Sequence, residues 1–408
     1  MSKKIFMGGI CGMGMAPLAL FLAEGGCQIS GFDDSPNGLV LDMLKSRGIE
    51  IEKSRVPKSK VDEFIITSAL KRDADTLKKA EAGKFLRRGE ALAEIARSRR
   101  LIGVCGSHGK TTTTSLIAHA ILKNSIDAGF ITGAIPVGFL PSKYCESEKF
   151  LAAELDESDG TIENFSPEIT VALNGDLDHT DTYADFFALE KMFERLFSRT
   201  ERLVIIPKAD KLLARAAKNA KAQVLEVEVP ANDFMAYDKM MALAALKAAF
   251  GVKFGLENFD DFKGVARRQE VFVSNEKLFA VADYAHHPNE LRAFLNWLDA
   301  RECARKLIFF QPHRYTRTKR FAADFKAILE SRAKLGDRVF VLPVYAASEL
   351  FDAKAGSEIL TSQNVKLARS GEMRDILEEF KNSDESRKCV AFVGAGDIYF
   401  EAKKIFNL

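Results

Sequence analysis

The chain has 408 residues, 47% hydrophobic and 28% charged, with 27 Gly and 11 Pro. It is too long for one ordinary core and too apolar for disorder, so two or three domains are expected. With 59 Lys and Arg against 57 Asp and Glu, the formal charge is +2, without the basic surplus of a duplex-phosphate binder, and no nucleic-acid partner is expected.

Taken in chain order, Lys3 and Lys4 precede nineteen uncharged residues, Ile5 to Ala23, which imitate an export signal. Gly8, Gly9, Gly12 and Gly14 interrupt that run and Glu24 follows it without a small-residue cleavage site, so it reads as strand, Gly-rich turn and helix. No other uncharged stretch approaches the ~20 residues of a spanning helix, and no membrane partner is expected. A strand QISGFD, a helix from about residue 39 and a strand at 63–68 continue the pattern of a doubly wound α/β domain. A second strand and Gly-rich turn open at Leu101, followed by apolar strands at 149–154, 168–174 and 202–206. The last third alternates strand (277–283), helix from Pro288, strand (306–310), helix (320–332), strand (338–344), helix (372–381), strand (389–393) and helix (397–406). Three α/β domains are expected, 1–98, 99–264 and 265–408. Six cysteines, Cys11, Cys27, Cys105, Cys145, Cys303 and Cys389, lie far apart with no CxxC pair. They read as reduced, buried thiols in a cytoplasmic chain rather than as a disulfide framework or zinc site.

The unusual polar residues gather where strands end, which in an open parallel sheet is where the ligand crevice lies. GSHGKTTTT at 106–114 follows a strand and opens a helix. Its backbone N–H groups from Gly106 through Gly109, the Lys110 ammonium and the hydroxyls of Thr111 and Thr112 suit a phosphate cradle, with Lys110 expected on a solvent-facing turn. The spacing is G-x-x-G-K-T, and Val104 stands where a Walker pattern has its first glycine. Gly9, Gly12 and Gly14 form a related turn after the first strand, with Asp33 closing the second strand where an acid would read a ribose or base; Cys11 replaces the middle glycine of a nicotinamide fingerprint. Tight helix–strand packing alone would also explain that turn.

ELDESDG at 154–160 and NGDLDHTDTY at 174–183 end successive strands with clustered carboxylates and His179. Hard oxygen donors suit Mg²⁺, and a neutral histidine suits a second divalent ion; solvated acidic loops are the other reading. Five of the six histidines (His108, His179, His286, His287, His313) fall in strand-end motifs, and only His119 reads as helix packing. ADYAHHP at 282–288 and FQPHRYTRT at 310–318 are expected at the ends of neighbouring strands, where Arg314 and Arg317 could grip a carboxylate. A metal site on the histidine pair, or a helix-start loop without chemistry, remains open.

Together GICGMGM, GSHGKTTTT, ELDESDG, NGDLDHTDTY, RRQE at 267–270, DYAHHP, PHRYTRT and GAGDI, in this order, resemble the Mur ligase family over nearly the whole chain. The resemblance implies a Rossmann-like first domain that receives a UDP moiety on Gly9, Gly12, Gly14 and Asp33. It also implies a central, P-loop ATPase-like α/β domain and a Rossmann-like C-terminal domain. Gly106, Ser107, His108, Gly109, Lys110, Thr111, Thr112 and Asn174 would hold ATP; Thr111, Glu154 and His179 would ligate Mg²⁺. Arg268 and Asp283 would contact the nucleotide, and His286, His313, Arg314 and Arg317 would handle an incoming amino acid. The implied reaction is ATP-dependent joining of L-alanine to the carboxylate of UDP-N-acetylmuramate through an acyl phosphate, in peptidoglycan precursor synthesis, by a monomer or homodimer. The competing readings are a recycling ligase that attaches a preformed tripeptide and a shortened, non-catalytic UDP-sugar or ATP-binding relative. Three departures stand out: about 55 residues between Tyr183 and Asp238 where the family spends roughly twice as many, Tyr237, Asp238 and Met241 in place of a His-Asn-x-x-Asn helix start, and Ala282 for the first acid of DDYAHHP.

Overall fold

The computed structural model describes residues 2–34, 36, 38–67, 70, 81–157, 160–176, 183–230, 233–301, 303, 305–347, 349–382 and 387–408. They form two compact units, Met1–Lys263 and Gly264–Leu408.

The first unit holds two sheets. One is wholly parallel in the order β3-β2-β1-β4-β5, from β1 (Lys4–Gly8), β2 (Gln28–Phe32), β3 (Glu50–Glu52), β4 (Val61–Ile66) and β5 (Ala82–Arg87). The run after Lys4 is therefore a buried strand, a turn and the helix Met15–Glu24. Chain direction across the sheet reverses at β1, so the Gly9–Gly14 turn opens at the switch point where doubly wound folds bind ligands.

The other sheet runs β12-β11-β10-β6-β9-β7-β8, from β6 (Arg100–Cys105), β7 (Gly129–Ile131), β8 (Ser142–Lys143), β9 (Phe150–Glu154), β10 (Ile169–Ala172), β11 (Leu203–Pro207) and β12 (Gln223–Val227). β6 is flanked by β9 and β10 in parallel, with Val104 beside Glu154 and Cys105 beside Ala172. That register sets the segments 155–157 after β9 and 173–176 after β10 on either side of the Gly106–Gly109 turn. Strands buried on both faces account for near-continuous apolar runs such as FLAAE and ITVA. One apolar cluster joins the two sheets, with Phe21 against Tyr144 at 5.2 Å.

The second unit is one sheet, β13-β14-β18-β15-β16-β17, from β13 (Glu270–Ser274), β14 (Leu278–Asp283), β15 (Arg305–Phe310), β16 (Arg338–Val341), β17 (Val365–Leu367) and β18 (Lys388–Val393). All its pairings are parallel except β13 with β14. The expectation that the DYAHHP and PHRYTRT strands are neighbours is corrected here, because β18 returns between β14 and β15. Their loops still meet because the turn after β18 carries almost no side chain. A Cβ on Gly394 would lie 2.6 Å from the Gln311 carbonyl, and one on Gly396 would lie 2.2 Å from Gln311 Oε1.

The cysteine expectation is also corrected. Cys303 and Cys389, 86 residues apart, form a disulfide with Cα atoms 5.8 Å apart, while Cys11, Cys27, Cys105 and Cys145 are free. Sequence spacing hides the pair because the fold sets the approach to β15 beside the start of β18. No helix among the described residues is long and apolar enough to cross a membrane.

Candidate active site

β6 delivers the chain into a turn closed by Gly106 (φ 125°) and Gly109 (φ 83°), and the helix Lys110–Lys123 starts at once. Both glycines are required. A Cβ on Gly106 would lie 2.9 Å from the Asn174 nitrogen, and one on Gly109 would lie 2.6 Å from Asp238 Oδ1. Asn174 braces the turn from the end of β10, accepting from the His108 N–H (2.9 Å) and donating to its carbonyl (3.0 Å), while the Ser107 hydroxyl donates to the Asp176 carbonyl. The four-threonine run is accommodated inside the helix, where Thr113 and Thr114 are fully buried and Thr114 Oγ1 donates to the Lys110 carbonyl at 2.9 Å.

Lys110 is largely covered, its side chain 11% exposed, rather than solvent-facing. Its ammonium donates to the Gly106 carbonyl (2.6 Å) and to Glu157 Oε1 (2.9 Å), and the Glu157 side chain is 2% exposed. Burial acts to lower the lysine pKa, but Glu157, Asp156 and Glu154 outweigh it and hold the group well above its ordinary range. Thr111 Oγ1 donates to Glu154 Oε2 at 2.7 Å. A Cβ on Gly133 would lie 1.9 Å from that same oxygen, so the glycine makes room for the carboxylate. Thr111 and Glu154 thus bring hard oxygen donors together at the start of the helix, a donor set that fits Mg²⁺. Among the described residues no cluster of three or more His, Cys, Asp or Glu side chains completes a metal cage, and His179 lies outside those residues.

At the first turn Gly9 has φ 71°, and its N–H donates to the Phe32 carbonyl at 2.9 Å. Asp33 Oδ2 accepts the Cys11 N–H at 2.9 Å, so this acid closes the turn. Cys11 points its thiol into the core, where burial and Asp33 push it up to about 12. Gly14 faces Arg88, whose Cδ lies 3.3 Å from where a Cβ would stand, and Arg88 reaches Asp156 at 3.5 Å.

In the second unit the three loops after β14, β15 and β18 converge. The His286 and His313 rings are 5.8 Å apart, and His313 stacks on Tyr345 at 5.7 Å. Burial, then the charges of His286, Arg317, Arg314 and Arg267, drives the His313 imidazole down to about 2, so it stays neutral. Arg314, at φ 69°, caps the helix Tyr315–Arg320 that carries Arg317. Among the described residues His313 Nδ1 and Arg314 Nε are buried without a hydrogen-bond partner. The histidine pair divides its work: His287 caps the helix Pro288–Asp299 and packs edge-on to Phe321, whereas His286 faces His313.

RRQE ties this cluster together. Arg267, 8% exposed with φ 69°, donates to the Gly396 carbonyl at 2.6 Å and lies over Tyr284 at 4.7 Å. Arg268 lies over Tyr284 at 5.0 Å and 3.7 Å from Glu290. Asp283 accepts the Gln269 N–H (2.9 Å) and the Ala285 N–H (2.8 Å); burial raises its carboxyl to about 6 against the pull of Arg268 and those N–H groups. His119 packs between Phe139 and Phe262 and reaches Asp261 at 3.2 Å. Sequence reasoning passed over Glu157, Arg88, Arg267, Glu290, Gln311 and Tyr345. Only Glu157, Arg267 and Gln311 stood inside a recognised motif.

Comparison with known proteins follows the same lines. Residues 4–100 match the description "Mur ligase family, catalytic domain" and residues 104–264 match "Mur ligase middle domain". A UDP-N-acetylmuramate–L-alanine ligase of Campylobacter curvus is 31% identical across 97% of this chain and 98% of its own. The UDP-N-acetylmuramate–alanine ligase structure from Thermotoga maritima superposes with TM-score 0.77 at 21% identity, covering 99% of this chain and 98% of that one. A murein peptide ligase structure from Psychrobacter arcticus gives TM-score 0.73 at 19% identity, covering 100% and 98%.

Proposed function

The chain belongs to the Mur ligase family, and from that premise we propose that it joins L-alanine to the carboxylate of UDP-N-acetylmuramate with ATP, in peptidoglycan precursor synthesis. The observation that carries the reading is the pairing of the Lys110 and Thr111 turn, bounded by Glu154 and Glu157, with a neutral His313 beside Arg314 and Arg317. The first suits phosphoryl transfer, which is mostly positioning and charge neutralisation. The second suits an amino acid's α-carboxylate.

In this reading Gly9, Gly12, Gly14 and Asp33 receive the UDP group. Gly106 to Gly109, Thr112 and Asn174 hold ATP, with Arg268 and Asp283 as further nucleotide contacts. Lys110 releases Glu157 to meet phosphate as the muramyl carboxylate attacks the γ-phosphate. Arg314 and Arg317 clasp the α-carboxylate of L-alanine while its amine attacks the acyl phosphate. Thr111, Glu154 and His179 would hold Mg²⁺, which would neutralise phosphate charge. Glu154→Ala should then shift the Mg²⁺ dependence of turnover to higher concentration while leaving nucleotide binding detectable. The domains 1–98, 99–264 and 265–408 divide these tasks, and a cytoplasmic monomer or homodimer suits the charged substrates.

The test is inorganic phosphate release with ATP, Mg²⁺ and UDP-N-acetylmuramate, adding each amino acid or the preformed tripeptide in turn. Release with L-alanine and not the tripeptide is the expected result. Release with the tripeptide alone would make the chain a recycling ligase, and no release with any acceptor would make it a binding protein.

A further inference from the structure

Glu290 belongs to no motif read from the sequence, yet it sits at the centre of the second unit's cluster. It is the third residue of the helix Pro288–Asp299, where its side chain completes a capping box with His287. Its Oε2 accepts the His286 N–H at 3.0 Å and the His287 N–H at 3.3 Å, and the same oxygen lies 3.3 Å from His286 Nδ1. Its Oε1 lies 3.7 Å from Arg268. Nδ1 of His286 is also 2.9 Å from the Tyr284 carbonyl. Both oxygens beside Nδ1 are acceptors only, so the hydrogen of a neutral imidazole belongs on Nδ1 and Nε2 carries the lone pair.

We propose that Glu290 is a positioning residue for amide formation: with the Tyr284 carbonyl keeping the hydrogen on His286 Nδ1, the Glu290 carboxylate orients the ring and supplies the counter-charge that lets Nε2 act as the base taking a proton from the amino acid's ammonium group. The idea rests on the ligase reading above. His286 Nε2 takes one proton and becomes imidazolium; the resulting amine attacks the acyl carbonyl, and the C–O bond to phosphate breaks. A second nitrogen-bound proton leaves with the phosphate, and the imidazolium returns its own to water. The surrounding charges favour this assignment. His313 faces His286 from the loop after β15 and is itself neutral, while Arg314, Arg317 and Arg267 lie near enough to press on His313. Glu290 is the anion against His286, and Arg268 holds it from the other side. An imidazolium formed at His286 is thus stabilised by Glu290, as carboxylate–histidine pairs do elsewhere.

Glu290→Gln tests this, because a glutamine oxygen can still cap the helix and the Tyr284 carbonyl still holds the Nδ1 hydrogen, while the negative charge beside the imidazolium is lost. The expected result is a fall in kcat with L-alanine of about 10²-fold, with the KM values for L-alanine and ATP changed less than about threefold and melting unchanged. The acidic limb of the kcat–pH profile should move, since the base has lost its counter-charge. Hydroxylamine, an amine already neutral at neutral pH, should still trap the acyl phosphate as a hydroxamate at near wild-type rate. Full L-alanine turnover in Glu290→Gln would overturn the proposal, and so would an equal loss of hydroxamate formation, which would make Glu290 a structural or nucleotide-side residue. If the wild-type chain forms neither hydroxamate nor amide from UDP-N-acetylmuramate, the ligase reading itself falls and this proposal with it.

Discussion

Lys110 and Glu157 form a buried ion pair at the mouth of the phosphate turn, with side chains 11% and 2% exposed. Removing one member of such a pair leaves its partner's charge in a dry site, at a cost of about 3–5 kcal/mol. Lys110→Ala should therefore do two things: cut phosphate release by ~10² or more and lower the urea midpoint. Adding Glu157→Gln should recover much of the midpoint and none of the turnover. If Lys110→Ala melts like the wild type, the pair is not holding the turn in solution. The turn was legible in GSHGKTTTT. The burial was not, since Glu157 comes 47 residues later and meets Lys110 only through the register of β6 with β9. Arg317 offers the narrower test of substrate. Lysine at this position keeps the charge but loses the planar fork, and a charge-assisted hydrogen bond is worth about 1.5–3 kcal/mol. Arg317→Lys should thus raise the KM for L-alanine about 10- to 100-fold and leave that for ATP in place. A rise in the ATP KM alone would assign the arginine to phosphate.

At the scale of elements, Asp283 joins the end of β14 to the RRQE segment by accepting the Gln269 and Ala285 N–H groups. Burial lifts its carboxyl from 3.8 to about 6, so between those pH values the folded chain binds more protons there than the unfolded chain. Its contribution to stability is fully present below about pH 4, falls as pH rises through the window, at no more than about 1.4 kcal/mol per pH unit, and is level above pH 6. Asp283→Asn should flatten that slope in urea midpoints measured at pH 4.5 and 6.5; an identical slope would place the titration elsewhere. The ends of long strands were readable because β14, β15 and β18 are unbroken apolar runs. What escaped were β3, β5, β7, β8, β12, β13 and β17, which apart from the three-residue buried β7 are edge strands such as QVLEV and VKL, too short or too exposed for period or burial to leave a signature. Strand order escaped too. The glycines of GAGDI were visible, but that Gly394 and Gly396 lie bare against Gln311, letting the loops after β14 and β15 meet across β18, is a spatial fact the local sequence does not mark.

The whole molecule carries its phosphate turn in one compact unit and its arginine pair in the other, and only the second holds a disulfide. A chain with two such units need not unfold in one step, so calorimetry should resolve two components. On the proposed assignment of ATP and Mg²⁺ to the Gly106–Gly109 turn, these ligands at one hundred times Kd should stabilise the component from Met1–Lys263 by about 2.7 kcal/mol; Lys110→Ala should abolish that shift. The disulfide acts on the other component. Closing 86 residues between Cys303 and Cys389 removes enough freedom from the unfolded chain to stabilise the Gly264–Leu408 unit by about 2–5 kcal/mol. Dithiothreitol, or Cys303→Ser, should therefore lower that component alone, with the ATP-responsive component unmoved. The two treatments give the same answer only if the bond forms in solution. A dithiothreitol scan that superposes on the untreated one, with Cys303→Ser also silent, would show two reduced thiols side by side and return the cysteines to what their spacing first suggested.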